Sequence, residues 1–324
     1  MAHGLEPQNL SPMRFSSTDL GGSPPAGGDP SGGRPVSPPP RRFDPIMGKT
    51  LLVFLVFSVG LPVLLLTILH HWISLRIGQL AIHTTLPIES IQAVSVLVAT
   101  YAAARFARRP MGDYGIPPRQ AFGARFWEGA LWGFAMLSLV VAIQYLLGEF
   151  RITGVALSGA SVLKYAAAWG LVFLCVGIYE EGFFRGFFLF ALSRRLAFWR
   201  AAVVLSIAFA AAHLSNPGEN AFGILQVFVI GIVFCLTIRR TGSLWFAIGL
   251  HAAWDWAQTF FYGTPDSGLI GVGHYFNSAA SGARWLSGGS AGPEGSVLAL
   301  AIIVLSAALV HWRFPRALYP DRPV

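Results

Sequence analysis

From residue 47 onward the chain alternates between long apolar runs and short polar breaks that hold arginines. Thr50–Leu69, Gly129–Gly148 and Asn220–Ile238 each run about 19–20 residues without a charge, the length that crosses roughly 30 Å of hydrocarbon. The pattern predicts eight helices, near 50–72, 87–105, 125–148, 164–193, 200–214, 221–238, 243–262 and 295–312. The second has only fifteen uncharged residues, Ser90–Ala104, and the fifth is also short. These two read as tilted, half-inserted or buried among their neighbours. The fold class expected is all-α, a polytopic transmembrane helical bundle of about eight spans.

Residues 1–46 differ from everything that follows. Pro, Gly and Ser fill 23 of those 46 positions, too little apolar surface to offset the ordering entropy. The segment reads as a disordered cytoplasmic tail, and it lacks the apolar core of a secretory signal. Translation from Met1 and translation from Met47 both fit this reading. The remaining organisation expected is N-terminal transmembrane helices over 47–155, a catalytic transmembrane core over 156–312 and a short cytoplasmic tail over 313–324. The Gly- and Ser-rich stretch 263–294 reads as a floppy connector rather than a cover over a cavity.

Composition sharpens the class. The 324 residues are 54% hydrophobic and only 12% charged, with a mean hydropathy of +0.58. A soluble fold would lack the polar residues to cover its exterior. The net charge of +8 is not gathered into a basic domain, so nucleic acid is excluded as a partner. The arginines cluster at the ends of apolar runs, at Arg41/Arg42, Arg105/Arg108/Arg109, Arg194/Arg195 and Arg239/Arg240. Such clusters stay on the cytoplasmic side, which predicts a multi-pass protein of the cell membrane with both termini cytoplasmic. Cys175 and Cys235 lie in apolar runs and read as packing residues.

Against this background six ionisable residues stand out, because each costs about 2.5–3.5 kcal/mol at mid-membrane depth. They are Glu180, Glu181 and Arg185 in the fourth helix, His213 ending the fifth, and His251 and Asp255 in the seventh. At 1.5 Å per residue, Glu180 lies roughly 21 Å from Arg194, His213 roughly 20 Å from Arg200 and His251 roughly 17 Å from Arg240. Three helices thus carry acid or imidazole at nearly one depth. Glu181 and Arg185 are four apart and read as an ion pair that fixes packing. Glu180, turned about 100° away, is left to face a cavity as a general base for water. His251 and Asp255 are also four apart, so the carboxylate can orient the imidazole or join it on one ligand. Taken alone, His213 reads as a hydrogen-bonded helix-end residue, Asn216 before Pro217 as turn chemistry, and Phe209, Trp254 and Trp256 as packing.

Glu180-Glu181-Gly-Phe-Phe-Arg185-Gly186, Phe209-Ala-Ala-Ala-His213 and His251-Ala-Ala-Trp-Asp255, in that order on separate apolar helices, resemble the three motifs of the CPBP family. These are the type II CAAX prenyl proteases and the bacteriocin-processing (Abi) intramembrane proteases. Gly-Pro-Glu-Gly-Ser at 292–296 is similar as well. The resemblance implies an intramembrane endopeptidase that acts on a membrane-associated protein or peptide, of which a prenylated CAAX terminus is one form. It implies Glu180 as the base, His213 holding the same water, and His251 with Asp255 stabilising the oxyanion. Glu181 and Arg185 then take the motif's supporting positions. The eukaryotic CAAX proteases have Asn where this chain has Asp255, and an ionised Asp cannot donate to an oxyanion. Asp255 is then protonated, or orients His251, or joins Glu180, His213 and His251 around a divalent metal such as zinc. The His-Glu-x-x-His signature is absent, and the reading favours a metal-free glutamate mechanism with no cofactor. Two alternatives outside proteolysis are a proton-coupled transporter and a non-catalytic peptide-binding immunity or scaffold protein.

Overall fold

The computed structural model describes residues 45–69 and 79–323. The expected tail falls almost wholly outside the described residues, as do Arg41/Arg42 and the end of the first expected span at 70–72. Among the described residues the eight expected helices are all present. They are α1 (Ile46–Leu69), α2 (Ile82–Ala107), α3 (Ala124–Leu146), α4 (Ala160–Leu196), α5 (Phe198–Ala212), α6 (Ala221–Thr241), α7 (Trp245–Trp256, continued by a π-helical turn Ala257–Phe261) and α8 (Val297–Arg313). The protein is a mostly helical, multi-pass membrane protein. Five of these helices, α1 to α4 and α6, are long and apolar enough to cross a bilayer. The other three are shorter, α5 having 15 residues and α8 17.

The second helix is longer than the expected 87–105. It runs 26 residues, Ile82–Ala107, with Pro87 inside it. Arg108, at φ 54°, ends it in the left-handed region.

Helix ends follow local chemistry. The Asn220 side chain accepts from the backbone N–H groups of Phe222 (2.9 Å) and Gly223 (3.1 Å) and starts α6. Ser296 starts α8 by accepting from the Ala299 N–H at 3.1 Å. Ala197 alone joins α4 to α5.

The tightest contact is between α3 and α7. A Cβ at Gly129 would lie 2.1 Å from the Phe246 carbonyl oxygen, one at Gly133 2.0 Å from that of Leu250, and one at Gly249 2.1 Å from that of Phe126. The two backbones touch through a Gly-x-x-x-Gly face. Partner numbers rise together from Gly129 to Gly133, so the helices run parallel. This contact sets the depth of α7, and with it His251 and Asp255. Gly133→Val is therefore expected to cost about 3 kcal/mol, the upper end of overpacking, and to lower the thermal midpoint in detergent sharply. Gly60→Ala, which meets no atom within 4 Å, should leave the midpoint unchanged.

The stretch 263–294 is not the floppy connector the sequence suggests. Its residues form β3 (Ile270–Gly271), paired parallel with β1 (Gln79–Leu80), and β4 (Phe276–Ala280), paired antiparallel with β2 (Phe150–Val155). The glycines read as flexibility instead serve as turn positions: Gly268, Gly273, Gly282, Gly288, Gly289 and Gly292 all have positive φ.

Candidate active site

Glu180 and Glu181 close the regular part of α4, and a π-helical segment, Gly182–Phe187, follows them. Such segments recur at functional sites. As expected from the spacing, Arg185 Nη1 donates to Glu181 Oε1 at 3.1 Å, and both side chains are fully buried. The arginine is wrapped in aromatic faces, its Cζ 3.9 Å from the Phe209 ring centroid and 5.3 Å from that of Phe234. A Cβ at Gly231 would lie 2.8 Å from Arg185 Nη2, so α6 needs glycine there.

Glu181 has a second function that spacing did not show. His251 Nδ1 donates to the same Oε1 at 3.0 Å. The ring stacks on Phe234 with centroids 5.3 Å apart. Its Nε2 faces Asp255 Oδ2 at 3.4 Å and Glu180 Oε2 at 3.7 Å. The sequence reading let Asp255 orient the imidazole, but the short bond to Nδ1 comes from Glu181, and Asp255 sits at the other nitrogen. A four-residue spacing brings Asp255 near the ring without choosing which nitrogen it meets. Glu180 Oε2 is buried and has no hydrogen-bond partner among the described residues.

His213 caps the C-terminal end of α5. Its Nδ1 lies 2.8 Å from the Phe209 carbonyl oxygen. A carbonyl only accepts, so Nδ1 carries the proton and Nε2 is left as an acceptor. Phe209 is thus more than packing: it holds the His213 tautomer, stands edge-on to that ring at 4.6 Å, and carries Arg185 on its face. Glu180, His213, His251 and Asp255 all line one cavity of about 440 Å³. The cluster around His251 is in direct contact, whereas the bond His213 makes is to its own helix. Asn216 lines the same cavity, although its backbone also serves the turn as expected: its N–H donates to the His213 carbonyl at 3.0 Å.

Among the described residues no three His, Cys, Asp or Glu side chains come together in a cage that could hold an ion. Both histidines give Nδ1–H to fixed partners, which leaves each Nε2 facing the cavity side of the site.

Three further carboxylates line the cavity and were not singled out in the sequence: Glu89 on α2, and Asp266 and Glu294 from the 263–294 segment. Glu89 stands one residue before the uncharged run of its helix, and Glu294 lies within the Gly-Pro-Glu-Gly-Ser stretch. Asp266, in a Thr-Pro-Asp-Ser-Gly turn, gave no signal of chemistry. The Thr259 hydroxyl donates to Asp266 Oδ2 at 2.9 Å, and the Ser267 N–H donates to Glu294 Oε1 at 2.6 Å. Burial is the main cause that lifts Asp266 to about 6, with the Glu180 charge adding to it, while the Thr259 hydroxyl and His251 pull downward. Burial, then the Asp266 charge, holds Glu294 well above the usual carboxylate range. A carboxyl with a raised folded value binds more protons folded than unfolded, so its contribution to stability falls as pH rises from its ordinary 3.8 to about 6 and levels above. Stability of the wild-type protein relative to Asp266→Asn should therefore fall across that window, read as the difference between their thermal midpoints.

The family model described as "Rce1-like: Type II CAAX prenyl endopeptidase Rce1-like" matches residues 161–257. Neither the curated proteins nor the solved structures include a match to the chain. The matched stretch is the run from α4 to α7 that supplies Glu180, Glu181, Arg185, His213, His251 and Asp255. Residues 161–257 of this membrane protein are thus similar to the type II CAAX prenyl endopeptidases, which supports a CAAX-type intramembrane endopeptidase.

Proposed function

We propose that the chain hydrolyses a peptide bond of a membrane-associated protein or peptide, a prenylated CAAX terminus being one such substrate, by a metal-free glutamate mechanism. The observation that carries the reading is the buried, unpartnered Glu180 Oε2 in a cavity shared with His213 and His251. A water there gives one hydrogen bond to Glu180 Oε2 and the other to His213 Nε2, which leaves its lone pair for the substrate carbonyl carbon. Glu180 takes the water's proton as the C–O bond forms and returns it to the leaving amine as the C–N bond breaks.

The oxyanion is stabilised by His251 Nε2–H. Because Nδ1–H is engaged by Glu181, a ring that also donates from Nε2 carries both protons and one positive charge. Glu181 and Asp255 balance that charge. Asp255 then works as a counter-ion beside Nε2 and need not itself donate, which removes the difficulty of a carboxylate at this position.

The test compares protein termini in source membranes with the wild-type protein and with Glu180→Gln at equal expression. New termini that vanish in the variant establish proteolysis and name substrates. Matching profiles would overturn the reading, and proton flux in liposomes would then be measured.

A further inference from the structure

The cavity is acidic beyond what the hydrolysis needs. Glu89, Glu180, Asp255, Asp266 and Glu294 line it, and among the described residues no lysine or arginine does. Charges of one sign in a space of about 440 Å³ repel one another strongly where little water screens them. The proposed mechanism uses only Glu180 and Asp255 directly. Asp266 and Glu294 come from the segment beyond the helices and are each held by one donor, Thr259 and Ser267. Each therefore keeps a second carboxylate oxygen for something else.

An independent group points the same way. Gln226, in the second turn of α6, lines the cavity at 4% exposure, and its Oε1 is buried with no hydrogen-bond partner among the described residues. The end of α6 that carries it packs against the Pro293–Gly295 turn, where Asn220 Nδ2 donates to the Gly295 carbonyl at 3.3 Å. A buried amide oxygen without a donor costs about 1–3 kcal/mol. All of these unspent groups accept hydrogen bonds and two are carboxyls that a neighbouring positive charge would ionise, so the missing ligand is a cation with several N–H donors. A compact divalent ion does not suit them, since no three are drawn together as a cage among the described residues.

We infer that Asp266, Glu294 and Gln226 form a subsite for a positively charged substrate side chain, a lysine ammonium or an arginine guanidinium close to the scissile bond. The inference rests on the proteolytic reading for its word "substrate", but the binding itself does not. Burial holds both carboxyls above their ordinary range, and a positive charge beside them favours their ionised form. Substrates with a neutral residue there leave the cluster uncompensated, which makes the site selective as well as attractive.

The test uses the full-length protein in lipid nanodiscs and a short acetylated, amidated leucine-rich peptide. A single lysine, or norleucine as its uncharged counterpart, is moved through the peptide positions. At the best position the lysine peptide should bind about tenfold or more tightly than its norleucine twin. Asp266→Asn with Glu294→Gln keeps both structural acceptors and should bring that ratio below about twofold. Each single substitution should lower it in part, which guards against misfolding of the double variant. Equal binding of the two peptides to the wild-type protein would overturn the subsite, as would a ratio that survives in the double variant. Cleavage of the same peptides by wild-type protein and not by Glu180→Gln reports separately on proteolysis. A charge preference in binding without any cleavage would sink the enzyme and leave the subsite standing.

Discussion

Glu180→Gln should lower the turnover of any peptide substrate by about 10³-fold or more, near the upper range for the loss of a general base, while the protein inserts and accumulates as before. Glutamine matches the side chain in volume and still accepts a hydrogen bond, so the water can remain in place. It cannot take the water's proton. Glu180 also has little structural duty: its Oε2 has no hydrogen-bond partner among the described residues and lies 3.7 Å from His251 Nε2. Its neutral replacement should therefore leave the thermal midpoint unchanged or slightly raised, because one charge leaves an acidic cavity. A variant that loses activity and unfolds together would assign Glu180 to the scaffold. Single-turnover kinetics on reconstituted protein, beside a melting curve, separates the two results.

Arg185→Leu should act in the opposite way, on stability first. Removal of one partner of a buried ion pair costs about 3–5 kcal/mol because the other charge stays behind, and Glu181 is fully buried. Its loss also empties the aromatic box of Phe209 and Phe234. Adding Glu181→Gln should restore much of the stability, since the buried negative charge is gone and the amide oxygen still accepts from His251 Nδ1. Activity should not return with it, because His251 would have lost a counter-charge. If the double variant regains both, Glu181 serves packing alone. Denaturant titration and peptide cleavage on the same preparations decide this.

The contrast between these two residues shows what the sequence could and could not disclose. Helix positions were legible because a bilayer demands long uncharged runs and places arginines at their ends. That Glu180, His213 and His251 line one cavity was legible because 1.5 Å per residue needs no knowledge of packing. Contacts between helices were not. Which nitrogen of His251 meets Glu181, and which meets Asp255, depends on helix rotation and rotamer, about which spacing is silent. The Gly129–Gly133 face passed unremarked because glycines in an apolar run signal nothing until a partner backbone lies against them. Asp266 and Glu294 were hidden for another reason. Their stretch is rich in residues that mark turns, and turn residues look the same in a loose connector and in a segment folded over a site. Glu89 lay within the expected second helix, but a single acid beside an uncharged run gives no sign of the cavity it faces.

The single residue between α4 and α5 bears on how the protein enters the membrane. Ala197, at φ 68° and ψ 159°, leaves no slack for the second helix to wait apart from the first. With 15 residues, α5 reaches about 22 Å at 1.5 Å per residue, short of a crossing by itself. The two helices therefore have to be delivered as one hairpin, the long member carrying the short one. Glu180 and His213 arrive at their working depth in the same insertion event. Assembly is thus a single commitment for half of the site, and lengthening the link at Ala197 would turn it into two.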